Sequence, residues 1–173
     1  MGLGDIGRAV AERALAFEME VVYHRRHPLP PEETPGIRAV SLPELLRTSD
    51  IVSLHIPLTA ETRGLIGAAE LRSMKPSAIL INTARGSIVD EAALLTALRE
   101  GWIAGAALDV VAEPPLPATS PLLALPNFLC TPHVGAATRD ADTRVLKTAY
   151  ANIERVERGE EPLNVVNRPA VRA

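Results

Sequence analysis

The sequence predicts an α/β fold, a parallel sheet with helices on both faces, and three observations predict it. Helical and strand-like apolar patterns alternate along the chain, which is the signature of strands joined by crossover helices. One strand-like run, I-A-G-A-A-L-D-V, is built from small residues that suit close packing against helices. The chain also opens on a glycine-spaced loop, Gly2, Gly4 and Gly7, that leads directly into a helical pattern.

The elements follow in order. Residues Ile6 to Phe17 read as a helix with Ile6, Val10 and Ala14 along one face. M-E-V-V-Y-H then reads as a strand, closed by a loop from His27 through Pro28, Pro30 and Pro31. A short apolar piece, Ile37 to Val40, precedes a small helix in S-L-P-E-L-L-R-T-S-D, with Ser41 as N-cap and Pro43 in the first turn. Ile51 to Ile56 is a strand stopped by Pro57, and Ile79 to Asn82 is another. Asp90 to Glu100 is a helix ended by Gly101, Ile103 to Val110 a strand, and Phe128 to Cys130 a last short strand stopped by Pro132. A long helix runs from Thr138 to Arg158, with Leu146, Ala149, Ile153 and Val156 on one face and Gly159 after it. The tail from Glu160 to Ala173 contains a strand-like L-N-V-V with no neighbour to pair with.

Composition removes several functions. With 173 residues, 47% hydrophobic, the chain suffices for one domain with a core. A net charge of −3 and a pI near 5.8 offer no electrostatic case for nucleic acid or an anionic membrane. Aromatics at 3% leave no stacking platform for single strands. No apolar run reaches the roughly 18–20 residues of a bilayer span, and no basic start with an apolar stretch marks a secretory signal. The single cysteine, Cys130, excludes an internal disulfide and fits a reducing cytoplasm. The four histidines lack ligand spacing, so no metal is expected.

G-x-G-x-x-G at the mouth of a helix is a dinucleotide-binding pattern. The first glycine permits the tight turn, the second lets the backbone approach a pyrophosphate, and the third lets helix and strand pack closely. The helix N-terminus adds uncapped N–H groups and a positive dipole end. Such a fold reads the adenosine ribose about 20 residues later, where His24, Arg25 and Arg26 stand in place of the acid expected for NAD. Guanidinium groups suit an extra phosphate dianion, so NADP is expected over NAD, with NAD still possible.

Three later stretches, I-N-T-A-R-G-S-I-V-D-E-A-A-L, A-L-D-V-V-A-E-P-P-L-P and T-P-H-V-G-A-A-T, follow D-I-V-S-L-H-I-P-L-T-A-E-T-R-G-L-I-G in this order. Together they closely resemble the D-2-hydroxyacid dehydrogenases, from Met1 to about Asn167. That family moves hydride between a nicotinamide and a small 2-oxo or 2-hydroxy acid. The resemblance implies a Rossmann-type doubly wound sheet and gives three residues catalytic roles. Arg85 would bind the substrate carboxylate, His133 would be the general acid/base, and Glu113 would pair with that histidine. A carboxylate beside imidazole favours the imidazolium and raises its pKa. Bidentate recognition by Arg85 would also stabilise the developing negative charge.

The resemblance assigns further residues to the cofactor. Asp109 would accept a bond from the nicotinamide carboxamide, and Asp5 and Ile6 would turn their amides to the pyrophosphate. Pro57 would line the cofactor groove, while Thr83, Ala84 and Gly135 would flank the nicotinamide end. His55 reads as structural, and Cys130 as a small buried residue without an activating partner. The ending Tyr23-His24-Arg25-Arg26 resembles NADP-using glyoxylate and hydroxypyruvate reductases. The family also implies a homodimer.

Family members carry a substrate lobe and a first central strand ahead of the glycine loop. The expectation is therefore residues 1–159 as a nucleotide-binding domain lacking its first strand, and residues 160–173 as a tail belonging with an absent lobe. Loss of a central strand should leave two facing strand edges and an apolar slot. On this reading the chain by itself should not reduce glyoxylate or hydroxypyruvate appreciably. The other reading is a catalytically silent dinucleotide-binding module of corepressor or cofactor-sensing type.

Overall fold

In a computed structural model of the chain, residues 1–166 are described. Its contacts divide it into two compact units, Met1–His133 and the segment from Val134 onward.

The first unit carries the sheet. Helix α1 (Asp5–Ala16) leads to strand β1 (Val21–Tyr23), then β2 (Ile37–Ala39), α2 (Leu42–Thr48) and β3 (Ile51–Leu54). After these come α3 (Ala68–Ser73), β4 (Ile79–Asn82), α4 (Glu91–Glu100), β5 (Gly105–Leu108) and β6 (Phe128–Cys130). All pairings are parallel, in two separate sheets, β1-β2 and β3-β4-β5-β6. β4 and β6 have the bounds that their apolar runs suggest, whereas β1, β2, β3 and β5 pair over fewer residues than theirs.

Local chemistry sets the helix ends. Ser41 Oγ accepts the Glu44 amide at 3.2 Å, and Asp90 Oδ1 accepts the amides of Ala92 and Ala93 at 2.9 and 3.1 Å. Gly101 closes α4 in the left-handed region, φ 70°. Helix α3 has no counterpart in the sequence reading. It is six residues long, too short to show a period, and it starts where Glu70 Oε2 accepts the Gly67 amide at 3.1 Å.

The inward face of α1 also differs from expectation. Ile6 is 66% exposed and Val10 42%, whereas Gly7 and Ala11 are the buried residues. Small residues, not the larger apolar ones, let this helix lie close to the backbone beneath it.

A slot separates β1 from β3, bridged at one end by the first two residues. The Met1 amine donates to the Ser53 carbonyl at 2.7 Å, and the Met1 carbonyl accepts from the His55 amide at 2.8 Å. On the other side the Gly2 amide donates to the His24 carbonyl at 2.9 Å. The main core lies around β3–β6 and includes Leu54, Ile66, Leu80, Leu94 and Leu108. A much smaller core, Leu3, Ala11 and Tyr23, lies against β1 and β2.

The second unit contains α5 (Arg139–Glu157), capped by Thr138 Oγ1 accepting the Ala141 amide at 3.1 Å and followed by Gly159 at φ 73°. The expected strand L-N-V-V is instead a turn. Leu163 exchanges hydrogen bonds with the Asn152 side chain, Asn164 takes φ 60°, and Val166 is 98% exposed. Asn167 and the tail beyond it lie outside the described residues. No helix among the described residues is long and apolar enough to cross a membrane.

Candidate functional site

The glycine loop is the N-cap of α1, and each glycine meets a different surrounding. Gly2 sits at φ 82°, and a Cβ there would fall 2.5 Å from the His55 carbonyl oxygen. A Cβ on Gly7 would collide with the Gly2 carbonyl, so this residue seats the helix on the loop. Gly4, the N-cap, faces open space and has no side chain to cap the helix. Asp5 and Ile6 follow it, both exposed. The positive end of a twelve-residue helix therefore meets solvent through a residue with no side chain, which suits an anion approaching the backbone.

The basic segment begins where β1 ends. His24 Nδ1 lies 3.1 Å from the Val40 carbonyl oxygen, Arg25 is half-buried, and Arg26 is exposed. Arg26 stands 4.0 Å from Glu61. The Thr59 hydroxyl, foremost, holds the Glu61 carboxyl below its usual range, and Arg26 adds to this. Pro57 is exposed, and its carbonyl accepts the Thr62 hydroxyl at 2.8 Å. His55 is half-buried on the floor of the loop. Burial, then the Met1 ammonium, pushes its imidazole below the ordinary value.

A cavity of about 560 Å³ opens at the C-terminal ends of β4, β5 and β6, lined among others by Arg85, Asp109, Thr131 and His133. Arg85 is exposed, and its Nη1 donates to the Ala84 carbonyl at 2.6 Å. Thr83 is exposed and Ala84 half-buried beside it. Asp109 is buried and accepts the Thr131 hydroxyl at 2.5 Å. His133 holds φ 57°, with its amide donating to the Thr131 carbonyl at 3.0 Å. Leu116 and Leu123 supply apolar wall. A guanidinium and an imidazole thus share one partly apolar cavity, the arrangement needed to hold a carboxylate and move a proton beside it.

Glu113 is not part of that lining, and no hydrogen bond or ion pair joins it to His133 among the described residues. It lies exposed in the segment after β5. Gly135 belongs to the second unit. Cys130 is half-buried and lines the cavity, not fully enclosed as its residue type suggested. Burial first, then Glu91 and Asp109, pushes its thiol up. No cluster of metal-ligating side chains occurs among the described residues.

Four residues that support the site were missed from sequence. Asn82, fully buried, donates from Nδ2 to the Arg85 carbonyl and accepts the Ala84 amide at Oδ1, both at 3.0 Å. Gly86 packs against the Val111 carbonyl, where any Cβ would collide. Glu91 Oε1 accepts the Ala112 amide at 2.6 Å, tying α4 to the segment that carries Glu113. Thr131 holds Asp109. An Asn closing a strand and a Gly right after an Arg were the available signals.

The family model for the D-isomer specific 2-hydroxyacid dehydrogenase NAD binding domain matches residues 1–135. A glyoxylate reductase of Aeropyrum pernix is 49% identical over 173 residues, covering 99% of this chain and 52% of that protein. Among solved structures, D-lactate dehydrogenase of Lactobacillus jensenii with NAD+ superposes with a TM-score of 0.89 at 34% identity, over 96% of this chain and 54% of the other. A D-isomer specific 2-hydroxyacid dehydrogenase of Xanthobacter autotrophicus with NADPH and MES gives 0.83 at 42% identity, over 96% and 68%. The chain spans about half the length of the curated relatives it matches.

Proposed function

This chain belongs to the D-isomer specific 2-hydroxyacid dehydrogenases, as their NAD-binding domain, and on that premise we propose that it serves a reductase of glyoxylate or hydroxypyruvate. The observation that carries the reading is Arg85 and His133 lining one cavity with Asp109 between the strand ends. The bound dinucleotide supplies or accepts the hydride. Its pyrophosphate fits the uncapped start of α1 at Gly4, Asp5 and Ile6, where no side chain stands in the way. Asp109, Thr83 and Ala84 would take the nicotinamide end, and Pro57 would border the groove.

Arg85 exchanges the Ala84 carbonyl for the substrate carboxylate, trading a neutral acceptor for a charged one. His133 gives its proton to the substrate oxygen as the alkoxide forms, and takes it back in the reverse direction. Glu113 steadies the imidazolium, a pairing that requires the segment after β5 to move toward His133. A silent dinucleotide-sensing module is the weaker reading, because it has no use for a guanidinium and an imidazole on one cavity.

Arg25 and Arg26 favour NADPH. No acid stands at the end of β1, and two guanidinium groups stand where the 2′-phosphate would lie. Arg26 must then leave Glu61, an exchange that costs little because both are exposed. Replacing both arginines with Ala should weaken NADPH binding far more than NADH; equal losses would overturn this preference. The same reading extends to residues 1–159 as the nucleotide domain, and to a cytoplasmic homodimer.

The deciding experiment uses a protein that carries this domain together with a substrate-binding lobe. His133→Ala should lower kcat for glyoxylate reduction by ~10²–10⁴-fold and leave NADPH affinity nearly unchanged. An unchanged kcat would overturn the assignment of His133.

A further inference from the structure

The peptide group shared by Val111 and Ala112 is held from two sides. The Val111 carbonyl and the Ala112 nitrogen lie against Gly86, so closely that no Cβ fits there. The Ala112 amide also donates to Glu91 Oε1 at 2.6 Å, across 21 residues of chain. Both supports have fixed bases. Gly86 follows Arg85, whose carbonyl accepts from the fully buried Asn82 side chain at 3.0 Å. Glu91 is the first residue of α4, a helix that Asp90 caps through the amides of Ala92 and Ala93. Beyond this peptide the chain is loose: no hydrogen bond among the described residues holds Glu113, Pro114, Pro115 or Leu116.

An acid at a helix start ordinarily serves the dipole, and Asp would do this as well as Glu. A carboxylate sent across to the Ala112 amide does more, because it fixes the point from which Glu113 swings. Val111 and Pro114, on either side of Ala112 and Glu113, line the cavity of Arg85 and His133, whereas Glu113 lies outside it. With the Ala112 amide held, rotation about the backbone bonds between Ala112 and Glu113 carries the Glu113 carboxylate toward that cavity. The chain before Ala112 stays in place. On the reading that Glu113 steadies the His133 imidazolium, we propose that Glu91 is a positioning residue. It pins the Ala112 amide as a pivot and so sets the fraction of time that the Glu113 carboxylate meets His133.

The grip of Glu91 is separable from its charge. Glu91 helps to push the Cys130 thiol up, and Cys130 lines the same cavity as His133, so a direct effect of the charge on the imidazole is the rival explanation. Arg85, Asp109 and Cys130 also face that cavity, and all three are the same in every variant below. Gln at position 91 keeps an oxygen that accepts the Ala112 amide and loses the charge. Asp keeps the charge and the place in the first turn, but is one carbon–carbon bond too short to reach the amide.

The test uses a protein that carries this domain together with a substrate-binding lobe. It follows the basic limb of the kcat/KM profile for glyoxylate reduction, and the NMR titration of the His133 imidazole without cofactor. Glu113→Gln should move both to lower pH by about one unit, because the imidazolium loses its carboxylate. Glu91→Ala and Glu91→Asp should move them the same way by about half a unit or more, while Glu91→Gln stays close to the original. In the Glu113→Gln background none of the Glu91 changes should move the titration further. Exchange of the Ala112 amide should quicken in the Ala and Asp variants and hold in the Gln variant. Should Glu91→Ala fail to fold, the Asp and Gln variants decide by themselves. An unmoved titration in Glu113→Gln overturns the pairing of Glu113 with His133, and this inference with it. A shift in Glu113→Gln with none in Glu91→Asp overturns the inference alone. So does a Glu91→Gln protein that shifts while Glu91→Asp does not, since Glu91 would then act by its charge.

Discussion

Asn82 grips the loop of Arg85 from both sides, giving a hydrogen to the Arg85 carbonyl and taking one from the Ala84 amide, each across 3.0 Å. The side chain is fully buried, so neither bond can be replaced by water at no cost. Asn82→Ala should destabilise the chain by about 1–3 kcal/mol, read from urea unfolding. In a protein able to bind substrate it should raise KM through Arg85. A variant as stable as the original would show that the loop holds itself.

Gly86 has no such tolerance. Its Cα lies against the Val111 carbonyl and the Ala112 amide, both backbone atoms that no rotamer change can move. Gly86→Ala should destabilise by about 1–3 kcal/mol or more and push apart the Arg85 loop and the segment leading to Glu113. Unfolding midpoints and the chemical shift of the Ala112 amide would report both effects.

The buried amine of Met1 makes stability depend on pH. Its pKa falls from 8.0 in the unfolded chain to about 6 in the fold, so between these values the unfolded chain binds more protons. Stability should rise from pH 6 to pH 8, by about 2–3 kcal/mol from this group, and should be lost as pH falls through 6. His55, also pushed down, contributes with the same sign. In His55→Gln a rise should remain and belong to Met1; a flat profile would show that the amine is solvated.

Cys130 should react slowly. Burial raises its thiol pKa first, and Glu91 and Asp109 raise it further. The iodoacetamide rate should therefore inflect above the pH of an ordinary free thiol, and Glu91→Gln should bring the inflection back toward it. An inflection at or below the ordinary value would contradict this environment.

Much of the fold was legible where local chemistry decides it. Ser41 caps α2 as expected, and Gly101 and Gly159 end the helices they were expected to end. Failures came where tertiary packing decides. Ile6 and Val10 look like the inward face of α1, but the approach to the backbone beneath selects Gly7 and Ala11. L-N-V-V has strand-forming residues and no ladder to join, so the Asn152 side chain claims it for a turn. In the site, Arg85 and His133 sit far apart in sequence, and only the family motifs suggested that they share a cavity. Thr131 was invisible because its partner Asp109 is set by the register of β5 and β6, which no local pattern reveals, whereas Asn82 bonds Ala84 and Arg85 within its own loop.

The unequal cores have a consequence for cooperativity. Leu3, Ala11 and Tyr23 form a cluster apart from the one around Leu54 and Leu80, and no strand ladder couples their sheets beyond the Met1–Gly2 rung. Such a body opens in parts, with the small cluster detaching at lower free energy than the large one. Heating should give two overlapping transitions, and a calorimetric enthalpy larger than the van't Hoff value. A single melting temperature would then describe the β3–β6 half alone, while α1, held to the weaker cluster through Ala11, would already have come undone.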